Sequence, residues 1–128
     1  MHDLVTFSHA LADETRWRIV QLISDEALCV CELADILNMP QSSVSSHVQV
    51  IRKAGMLESE RCEKWIYYRI APGFQPLLGA IAKKFSSSAE TNATLARDAR
   101  RKAKRLLVRE KSCCPGPRAL AGAKPRRG

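Results

Sequence analysis

Apolar residues in the first quarter of the chain recur at the spacing of one helix face. Leu4, Phe7 and Leu11 follow an i, i+3, i+7 pattern, which predicts a short amphipathic helix. Asp13 is of the residue type that favours a helix N-cap, and the apolar stripe after it predicts a second helix that ends near Ser24. This part of the chain is therefore predicted to hold two consecutive helices.

Two more helices, a hairpin and a last helix follow in the same pattern. Apolar positions predict a third helix through residues 33–37, a turn at 38–40 and a fourth helix over 41–54, which Gly55 ends as the C′ residue. Alternating residues predict two strands, 57–61 and 65–70, joined by a tight turn. A final apolar stripe predicts a helix that packs on another apolar surface; it consists of Leu77, Leu78, Ile81 and Phe85.

The fourth predicted helix has a polar face suited to DNA. Val44, Val48 and Ile51 share its apolar side, and small hydroxyl and amide side chains, which can approach phosphates and base edges closely, lie opposite. With the helix and turn before it and the basic-edged hairpin after it, this order is the plan of a winged helix–turn–helix. The predicted fold class is therefore mainly α with a small β-hairpin. The predicted DNA-binding residues are Gln41, Ser42, Ser43, Ser45, Ser46, His47, Gln49 and Arg52 on the helix and Arg61 and Lys64 on the hairpin.

His47 stands apart within this set because it lies beside the apolar stripe. That position more often holds a packed, hydrogen-bonded residue than a base reader. The first and last apolar stripes also lack partners within the pattern, and one recognition helix reads only half a site. The sequence therefore predicts a homodimer that binds double-stranded operator DNA with an inverted repeat.

Length and composition limit the class of protein. With 128 residues, 45% of them hydrophobic, the chain is expected to form a globular domain. No apolar run reaches the ~20 residues of a membrane span, and the first residues have neither the basic nor the apolar region of a signal peptide. The expected compartment is the cytoplasm, without membrane contact. A glycine-rich phosphate loop and a Cys-x-x-Cys motif are both missing, so an enzyme is not expected.

The net charge of +8 is unevenly distributed along the chain. Residues 1–96 carry 9 Lys/Arg against 11 Asp/Glu, whereas residues 97–128 carry 12 against 2. We predict three parts: a winged helix–turn–helix and dimerisation domain over 1–95, a basic helical extension over 96–111, and a disordered basic tail with a cysteine pair over 112–128. A basic helical run is more often a solvated face than a DNA contact, so DNA binding by the first part must rest on local placement of charge.

Cys29 and Cys31 stand one residue apart where the third helix is predicted to begin. Thiolates are soft ligands, and a helix N-terminus lowers the pKa of a thiol. At ~100° per residue, positions i and i+2 point about 200° apart, so both sulfurs can bind one ion only if the helix starts after Cys29 or its first turn unwinds. An ion bound here would act directly on the helix–turn–helix, which predicts a sensor.

Five segments of the chain form a more specific pattern. Residues 10–16 read Ala-Leu-Ala-Asp-Glu-Thr-Arg, residues 28–33 read Leu-Cys-Val-Cys-Glu-Leu, residues 44–48 read Val-Ser-Ser-His-Val, residues 55–57 read Gly-Met-Leu, and residues 64–70 read Lys-Trp-Ile-Tyr-Tyr-Arg-Ile. Together they resemble the ArsR/SmtB family of metalloregulatory repressors, and within it the arsenic-responsive ArsR branch. The resemblance covers about residues 4–85. It implies a homodimeric bacterial repressor that leaves its operator when As(III) or Sb(III) binds to cysteine thiolates.

Two positions depart from this resemblance. Ala34 stands where the branch often has a third cysteine, and Glu63 stands where the wing turn commonly has a glycine. Because trivalent arsenic favours three thiolates in pyramidal coordination, a third sulfur is needed. The candidates, in order, are Cys113 or Cys114 of a tail that could fold back across the dimer, then Cys62, then a small cellular thiol.

Two alternatives within the same fold remain. In a redox-responsive repressor, Cys29/Cys31 or Cys113/Cys114 would form disulfides. In a zinc- or cadmium-responsive repressor, four Cys, His or carboxylate donors would be needed, but the only histidines are His2, His9 and His47 and the last helix has none. A soft, thiol-seeking ion is therefore favoured.

Overall fold

The computed structural model of this chain describes residues 4–86, 88–109 and 114–122. Its elements, in chain order, are α1 (Leu4–Leu11), α2 (Glu14–Leu22), β1 (Leu28–Cys29), α3 (Val30–Leu37), α4 (Gln41–Lys53), β2 (Leu57–Cys62), β3 (Trp65–Ile70), a 3₁₀ turn (Pro72–Phe74), α5 (Gln75–Lys84), α6 (Ala89–Leu107) and α7 (Ala119–Gly122). A mainly helical fold with a small antiparallel sheet confirms the predicted fold class.

Helix boundaries follow from capping residues that the sequence supplies. The Asp13 carboxylate accepts a hydrogen bond from the backbone N–H of Arg16 at 3.0 Å, which confirms Asp13 as the N-cap of α2. Asn38, with φ +55°, ends α3 in the left-handed conformation, and Gly55, with φ +80°, follows the C-cap of α4 as predicted. These two turns fix where α4 begins and ends.

The sheet has the order β1–β3–β2, with both pairings antiparallel. β2 and β3 form the predicted hairpin, whereas β1 is a two-residue strand that the sequence analysis did not predict. In β1, Leu28 lies opposite Tyr68 and Cys29 lies opposite Tyr67. The segment that leads into α3 is therefore attached to the hairpin through Cys29.

The hairpin turn contains backbone strain at the position where the sequence departs from the family pattern. Glu63 has φ +58°, a conformation that favours glycine, and it joins β2 to β3 together with Lys64. The turn keeps the geometry of a tight hairpin without its usual glycine.

The larger of two buried apolar clusters in the described part of the chain lies among α1–α5 and the sheet. Its buried residues include the predicted stripes of α2 and α4; Ile19, Val20, Leu33, Val48 and Ile51 are each fully buried. Burial of these side chains from both helices of the helix–turn–helix fixes the angle at which α4 projects from the molecule. Of the helices described, none is long and apolar enough to cross a membrane.

The C-terminal third differs from the expectation. The basic run was predicted to be helical from about residue 97, but α6 already begins at Ala89, where the hydroxyl of Ser88 accepts a hydrogen bond from Thr91 N–H. The predicted boundary at residue 95 therefore lies within one continuous helix. Residues 114–122, which composition placed in a disordered tail, lie against the hairpin and include the short helix α7.

Candidate functional site

Three cysteine sulfurs converge at the start of α3. The Sγ atoms of Cys29, Cys31 and Cys114 all lie within 4.8 Å of one another. Cys29 and Cys114 are buried and Cys31 is half-buried, so the cluster has one side towards solvent. The fold thus brings the predicted pair together with one of the predicted third sulfurs, from the same chain.

Cys29 occupies the position that allows both members of the pair to share one ligand. It is the N-cap of α3, with extended backbone angles of φ −94° and ψ 170°, and Val30 is the first helical residue. Of the two geometries derived from the sequence, the helix that starts after Cys29 is the one found. Pairing of Cys29 with Tyr67 in the sheet keeps the residue extended.

A buried carboxylate closes the N-terminus of α3. Oε1 of Glu32 accepts a hydrogen bond from the backbone N–H of Cys29 at 3.1 Å, and Glu32 is fully buried. A buried carboxylate needs a charged partner. Arg109, after the end of α6, supplies it: its Nε and Nη2 donate to the two oxygens of Glu32 at 2.7 and 2.8 Å.

Arg109 also connects the start of α3 to its surroundings. Its Nη2 donates to the carbonyl of Ala27 at 2.8 Å, and its guanidinium lies 5.5 Å from the centre of the Tyr67 ring. The Glu32–Arg109 pair therefore fixes the C-terminal end of α6 beside the cysteine pair, and the chain that continues to Cys114 starts from there.

Beyond Cys114 the chain runs along the hairpin. The backbone N–H of Gly116 donates to the hydroxyl of Tyr67 at 2.6 Å. The N–H groups of Leu120 and Arg118 donate to the carboxylate of Glu60 on β2 at 2.8 and 2.7 Å, and they hold the pKa of Glu60 below its ordinary range. Residues 114–120, which we call the strap, thereby join the thiol cluster to both strands of the hairpin.

The thiol chemistry of Cys29 differs from the expectation. We predicted that the helix N-terminus would lower the pKa of a thiol here, but burial raises the pKa of Cys29 from its ordinary value of 9.0 to about 11. The negative charge of the Glu32 carboxylate adds to this rise in pKa. Hydrogen bonds of the Cys29 sulfur with the backbone N–H of Glu32 and with Cys114 partly offset the rise. Burial also raises the pKa of Tyr67. At neutral pH, Cys29 is therefore a thiol rather than a thiolate.

The two remaining cysteines have different positions. Cys113 lies outside the described residues. Cys62, at the end of β2, belongs to the same buried apolar cluster as Cys29, Cys114 and Tyr67, but it is not a member of the three-sulfur group. Cys62 is therefore a natural comparison residue, buried nearby without a place among the converging sulfurs.

The predicted DNA-reading residues of α4 are all at least partly accessible to solvent. Gln41, Ser42, Ser46 and Arg52 are exposed, and Ser43, Ser45, His47 and Gln49 are half-buried. The hydroxyl of Ser46 donates to the carbonyl of Ser42 at 3.1 Å, and Nε of Arg52 donates to Gln49 at 2.7 Å. Their role in DNA binding stays a prediction, and the exposed polar face is compatible with it.

His47 packs towards the protein rather than away from it. Its Nδ1 lies 3.3 Å from Nη1 of Arg16 and 3.9 Å from the carboxylate of Asp13. Arg16 is itself held by the carbonyls of Ala10 and His9 at 3.0 and 2.9 Å. His47 therefore links α4 to the α1–α2 junction, as its place beside the apolar stripe indicated.

The two basic residues predicted on the hairpin are both exposed. Arg61 is near the end of β2, and Lys64 is in the turn with its ammonium 5.1 Å from the Trp65 ring centre. Both are therefore available at the tip of the hairpin, next to the strained Glu63.

Sequence reasoning missed Glu32, Arg109 and Tyr67 as parts of the site. The spacing Cys29-x-x-Glu32 could have indicated Glu32, because it matches a capping box with cysteine in the place of serine or threonine. Arg109 and Tyr67 gave no local signal, since each reaches the site from a distant part of the chain.

The helix–turn–helix α3–α4 with its β2–β3 hairpin defines the class of winged helix–turn–helix proteins. A solved structure with the same fold is the homodimeric winged helix–turn–helix DNA-binding domain Mb0332 from Mycobacterium bovis, which is 25% identical, with a TM-score of 0.58 over 65% of this chain and 77% of that one. Within this class, the model of the family "Bacterial regulatory protein, arsR family" matches residues 13–59.

Individual relatives of this chain are also transcriptional regulators. The arsenic resistance transcriptional regulator ArsR1 of Pseudomonas putida is 42% identical over 74 residues, which cover 57% of this chain and 58% of the relative. An HTH-type transcriptional regulator of Methanocaldococcus jannaschii, MJ1325, is 34% identical over 48% of this chain and 70% of its own length. This chain belongs to the ArsR family of bacterial regulators. It matches less than three-fifths of the length of the Pseudomonas relative.

Proposed function

We propose that this chain is a dimeric transcriptional repressor that leaves its operator DNA when As(III) or Sb(III) binds to Cys29, Cys31 and Cys114. The observation that carries the proposal is the convergence of three sulfurs within 4.8 Å at the first residue of the helix–turn–helix. The name of the Pseudomonas relative, an arsenic resistance regulator, supports the same inducer.

The raised pKa of Cys29 favours arsenous acid over a divalent cation as the ligand. Arsenous acid carries three hydroxide groups on arsenic. When three thiols displace them, three As–S bonds form, three As–O bonds break, and each hydroxide leaves as water with one thiol proton. No net proton is released to solvent, so the free energy of binding does not include the cost of ionising the buried thiols.

A divalent cation meets a different cost at this site. Zinc or cadmium must displace a proton from each thiol, so binding releases protons and depends steeply on pH. Cys29, with its pKa near 11, holds its proton tightly at neutral pH. Among the residues that the structure describes, the sulfur group also provides one donor fewer than the four usual for zinc. Both features favour the trivalent metalloid.

Ligand binding is coupled to DNA through α3. Bonds from one arsenic to Cys29, Cys31 and Cys114 connect β1, the first turn of α3 and the strap, so the bound state restrains the angle of α3 relative to the hairpin. α3 leads through the turn 38–40 into α4. A coupling free energy of about 1–3 kcal/mol, typical of allosteric proteins, changes DNA affinity by roughly 5–150-fold.

The predicted homodimer has a suitable surface. Leu4, Val5, Leu77 and Phe85 are exposed, and Leu4 and Leu77 line an apolar groove together with other side chains of α1 and α5. Burying this apolar surface against a second copy would stabilise a two-fold dimer and present two α4 helices to the half-sites of an inverted repeat.

The decisive experiment measures release of DNA by arsenite. A fluorescent duplex that the protein has enriched from a random pool is bound in a reducing buffer and titrated with arsenite, with anisotropy as the readout. We expect Cys29→Ser, Cys31→Ser and Cys114→Ser to bind the duplex with wild-type affinity, because serine keeps the size but removes the soft donor. The first two should not release it, because each removes a sulfur that connects the ligand to the start of α3. Cys114→Ser should need a higher arsenite concentration, since both sulfurs at the start of α3 remain.

Cys62→Ser is the matched control. It removes a buried sulfur from the same apolar cluster without touching the three-sulfur group, so its release curve should coincide with that of the wild type. If Cys29→Ser releases DNA at the wild-type arsenite concentration, the sensor site is elsewhere.

The same sulfurs also support a redox-responsive alternative, because Cys114 lies close enough to the pair for an oxidant to join them. Peroxide titrations of the same complexes separate the two functions. Release by peroxide but not by arsenite would favour the redox repressor, whereas release by arsenite under reducing conditions favours the metalloid sensor. Release by cadmium alone would favour the metal-responsive alternative.

A further inference from the structure

One face of α6, together with Arg109 just after it, pairs with carboxylates on α3 and on the turn before β1. Nζ of Lys102 lies 3.3 Å from Oδ1 of Asp25, and Nε of Arg105 lies 2.8 Å from Oδ2 of Asp35. Arg109 forms the ion pair with Glu32 described above. In a fourth pair the acidic residue is on α6 and the basic residue is on α2. Nε and Nη2 of Arg18 donate to the two carboxylate oxygens of the buried Asp98 at 2.8 and 2.9 Å, which holds α6 against α2. The helix is thus held at several points along α2 and α3.

The basic residues that remain on α6 form a second, separate face. Arg97, Arg100, Arg101 and Lys104 are all exposed. At ~100° per residue, their i, i+3, i+4, i+7 spacing places them within one stripe of about 100°, turned away from the packed residues. Among the residues that the structure describes, no carboxylate lies within salt-bridge distance of Arg97, Arg100 or Lys104. We call this face the basic stripe.

The basic stripe borders the first helix of the helix–turn–helix. Arg101 donates to the backbone carbonyl of Asp35 at 3.5 Å, and Arg101 and Lys104 line a shallow depression together with Asp35 and Ile36 of α3. In helix–turn–helix complexes the second helix lies in the major groove while the first helix crosses the DNA backbone. A charge beside α3 is therefore close to the path of the phosphates.

The charge balance of the chain indicates that DNA binding needs positive charge from outside residues 1–96. Residues 1–96, which hold every predicted DNA-reading element, carry two more acidic than basic residues. Affinity for duplex DNA rests largely on neutralising phosphates, so this part of the chain has little long-range attraction of its own. The C-terminal third supplies the positive charge, and α6 places part of it beside α3.

We propose that α6 is an accessory DNA-binding helix whose basic stripe contacts the phosphates that flank the operator half-site. The proposal rests on the proposed function for the position of the duplex. It revises the expectation that the basic run is only a solvated face. The stripe reads no bases, so it strengthens binding to every duplex alike and leaves sequence preference to α4 and the hairpin.

The test compares two double variants with the same change in net charge. Arg100→Gln/Lys104→Gln removes two charges from the basic stripe, and Lys83→Gln/Lys84→Gln removes two exposed charges from the end of α5. Glutamine is a good helix former, and thermal melts by circular dichroism verify that both variants fold. Affinities for the enriched duplex and for a scrambled one are measured over a series of salt concentrations.

We expect the stripe variant to lose about 0.9 in the slope of log K against log salt for each phosphate contact, which is roughly 1.8 per protomer and roughly 3.6 for the dimer, for both duplexes. The ratio of the two affinities should not change, and the α5 variant should keep the wild-type slope. Equal slopes for the two variants would overturn the proposal, because net charge rather than position would then govern binding.

The outcomes also separate this inference from the proposed function. If the wild type shows no preference between the two duplexes, yet the stripe variant alone loses salt slope, the proposed repressor fails and the phosphate contact stands. If the stripe variant keeps its DNA slope but loses binding to vesicles containing anionic lipid, the stripe serves a membrane surface and the proposal is wrong.

Discussion

The Cys29 thiol is buried in a folded protein and exposed in an unfolded one, and this difference links stability to pH. Because the folded state raises its pKa from 9.0 to about 11, the unfolded state binds fewer protons between these values. The free energy of unfolding therefore falls as pH rises from 9 to 11. We expect the part of this fall that comes from the thiol, roughly 2 kcal/mol, to be absent in Cys29→Ser.

The measurement is urea unfolding of the wild type and Cys29→Ser at pH 7, 9 and 10.5 under reducing conditions. The stability advantage of the wild type over the variant should shrink as pH rises. An advantage that is constant over this range would contradict the raised pKa.

Glu63 offers a second prediction at the level of one residue. Its φ of +58° costs a residue with a side chain about 1 kcal/mol, whereas glycine adopts it freely. Glu63→Gly should therefore raise the free energy of unfolding by roughly that amount, as measured by urea unfolding. Glu63→Ala removes the same charge but keeps the strained backbone, so an equal gain in both variants would assign the effect to charge instead.

At the level of elements, the sequence predicted those whose signal is local. The periodicity of α1, α2 and α4, the Asp13 cap and the alternation of β2 and β3 all depend on neighbouring residues, and each prediction is confirmed. β1 escaped prediction because two residues carry no alternation. The docking of α6 and the strap was also missed, since it depends on contacts such as Glu32–Arg109, which are 77 positions apart.

The candidate site divides in the same way. Cys29 and Cys31 were identified by their spacing, and the start of α3 after Cys29 was one of two stated geometries. Cys114 could be named only as one of several candidates, because no local pattern indicates where a sulfur after a long helix will lie. The burial that raises the pKa of Cys29 comes from the sheet and the strap, which the sequence did not predict.

The strap provides a prediction at the level of elements. Gly116 has φ +100°, and a Cβ at this position would lie 2.8 Å from Cδ of Arg109. Gly116→Ala should therefore displace the strap and weaken delivery of Cys114 to the pair. A cost of about 1–2 kcal/mol for the left-handed conformation predicts that release of DNA needs roughly tenfold more arsenite.

Gly73→Ala is the control for this variant, because a Cβ there meets nothing within 4 Å. Both variants should bind DNA without arsenite as the wild type does. Identical arsenite titrations for Gly116→Ala and the wild type would show that the strap does not position the third sulfur.

At the level of the whole molecule, the exposed apolar face of α1 and α5 predicts a dimer. Leu77→Lys should place a charge on this face and shift the protein towards monomers in sedimentation at micromolar concentration, with a parallel loss of DNA affinity. Val108→Lys is the matched control, since Val108 is as exposed as Leu77, at 47% against 48%, but lies away from the groove. A wild-type protein that sediments as a monomer would contradict the dimer itself.

The order of the chain adds a consequence for how the protein is made. Every predicted DNA-reading residue lies before residue 65 and α5 ends at Lys84, whereas Cys114 follows Cys29 by 85 positions. On the ribosome, the DNA-reading part emerges before the sulfur that completes the sensor. A premature stop just after Arg109, which keeps α6 and its basic stripe, should therefore yield a protein that still represses but responds poorly to arsenite. In mixed dimers with the full-length chain such a fragment would act dominantly, so a merodiploid cell should keep the operator repressed at arsenite concentrations that release the full-length protein.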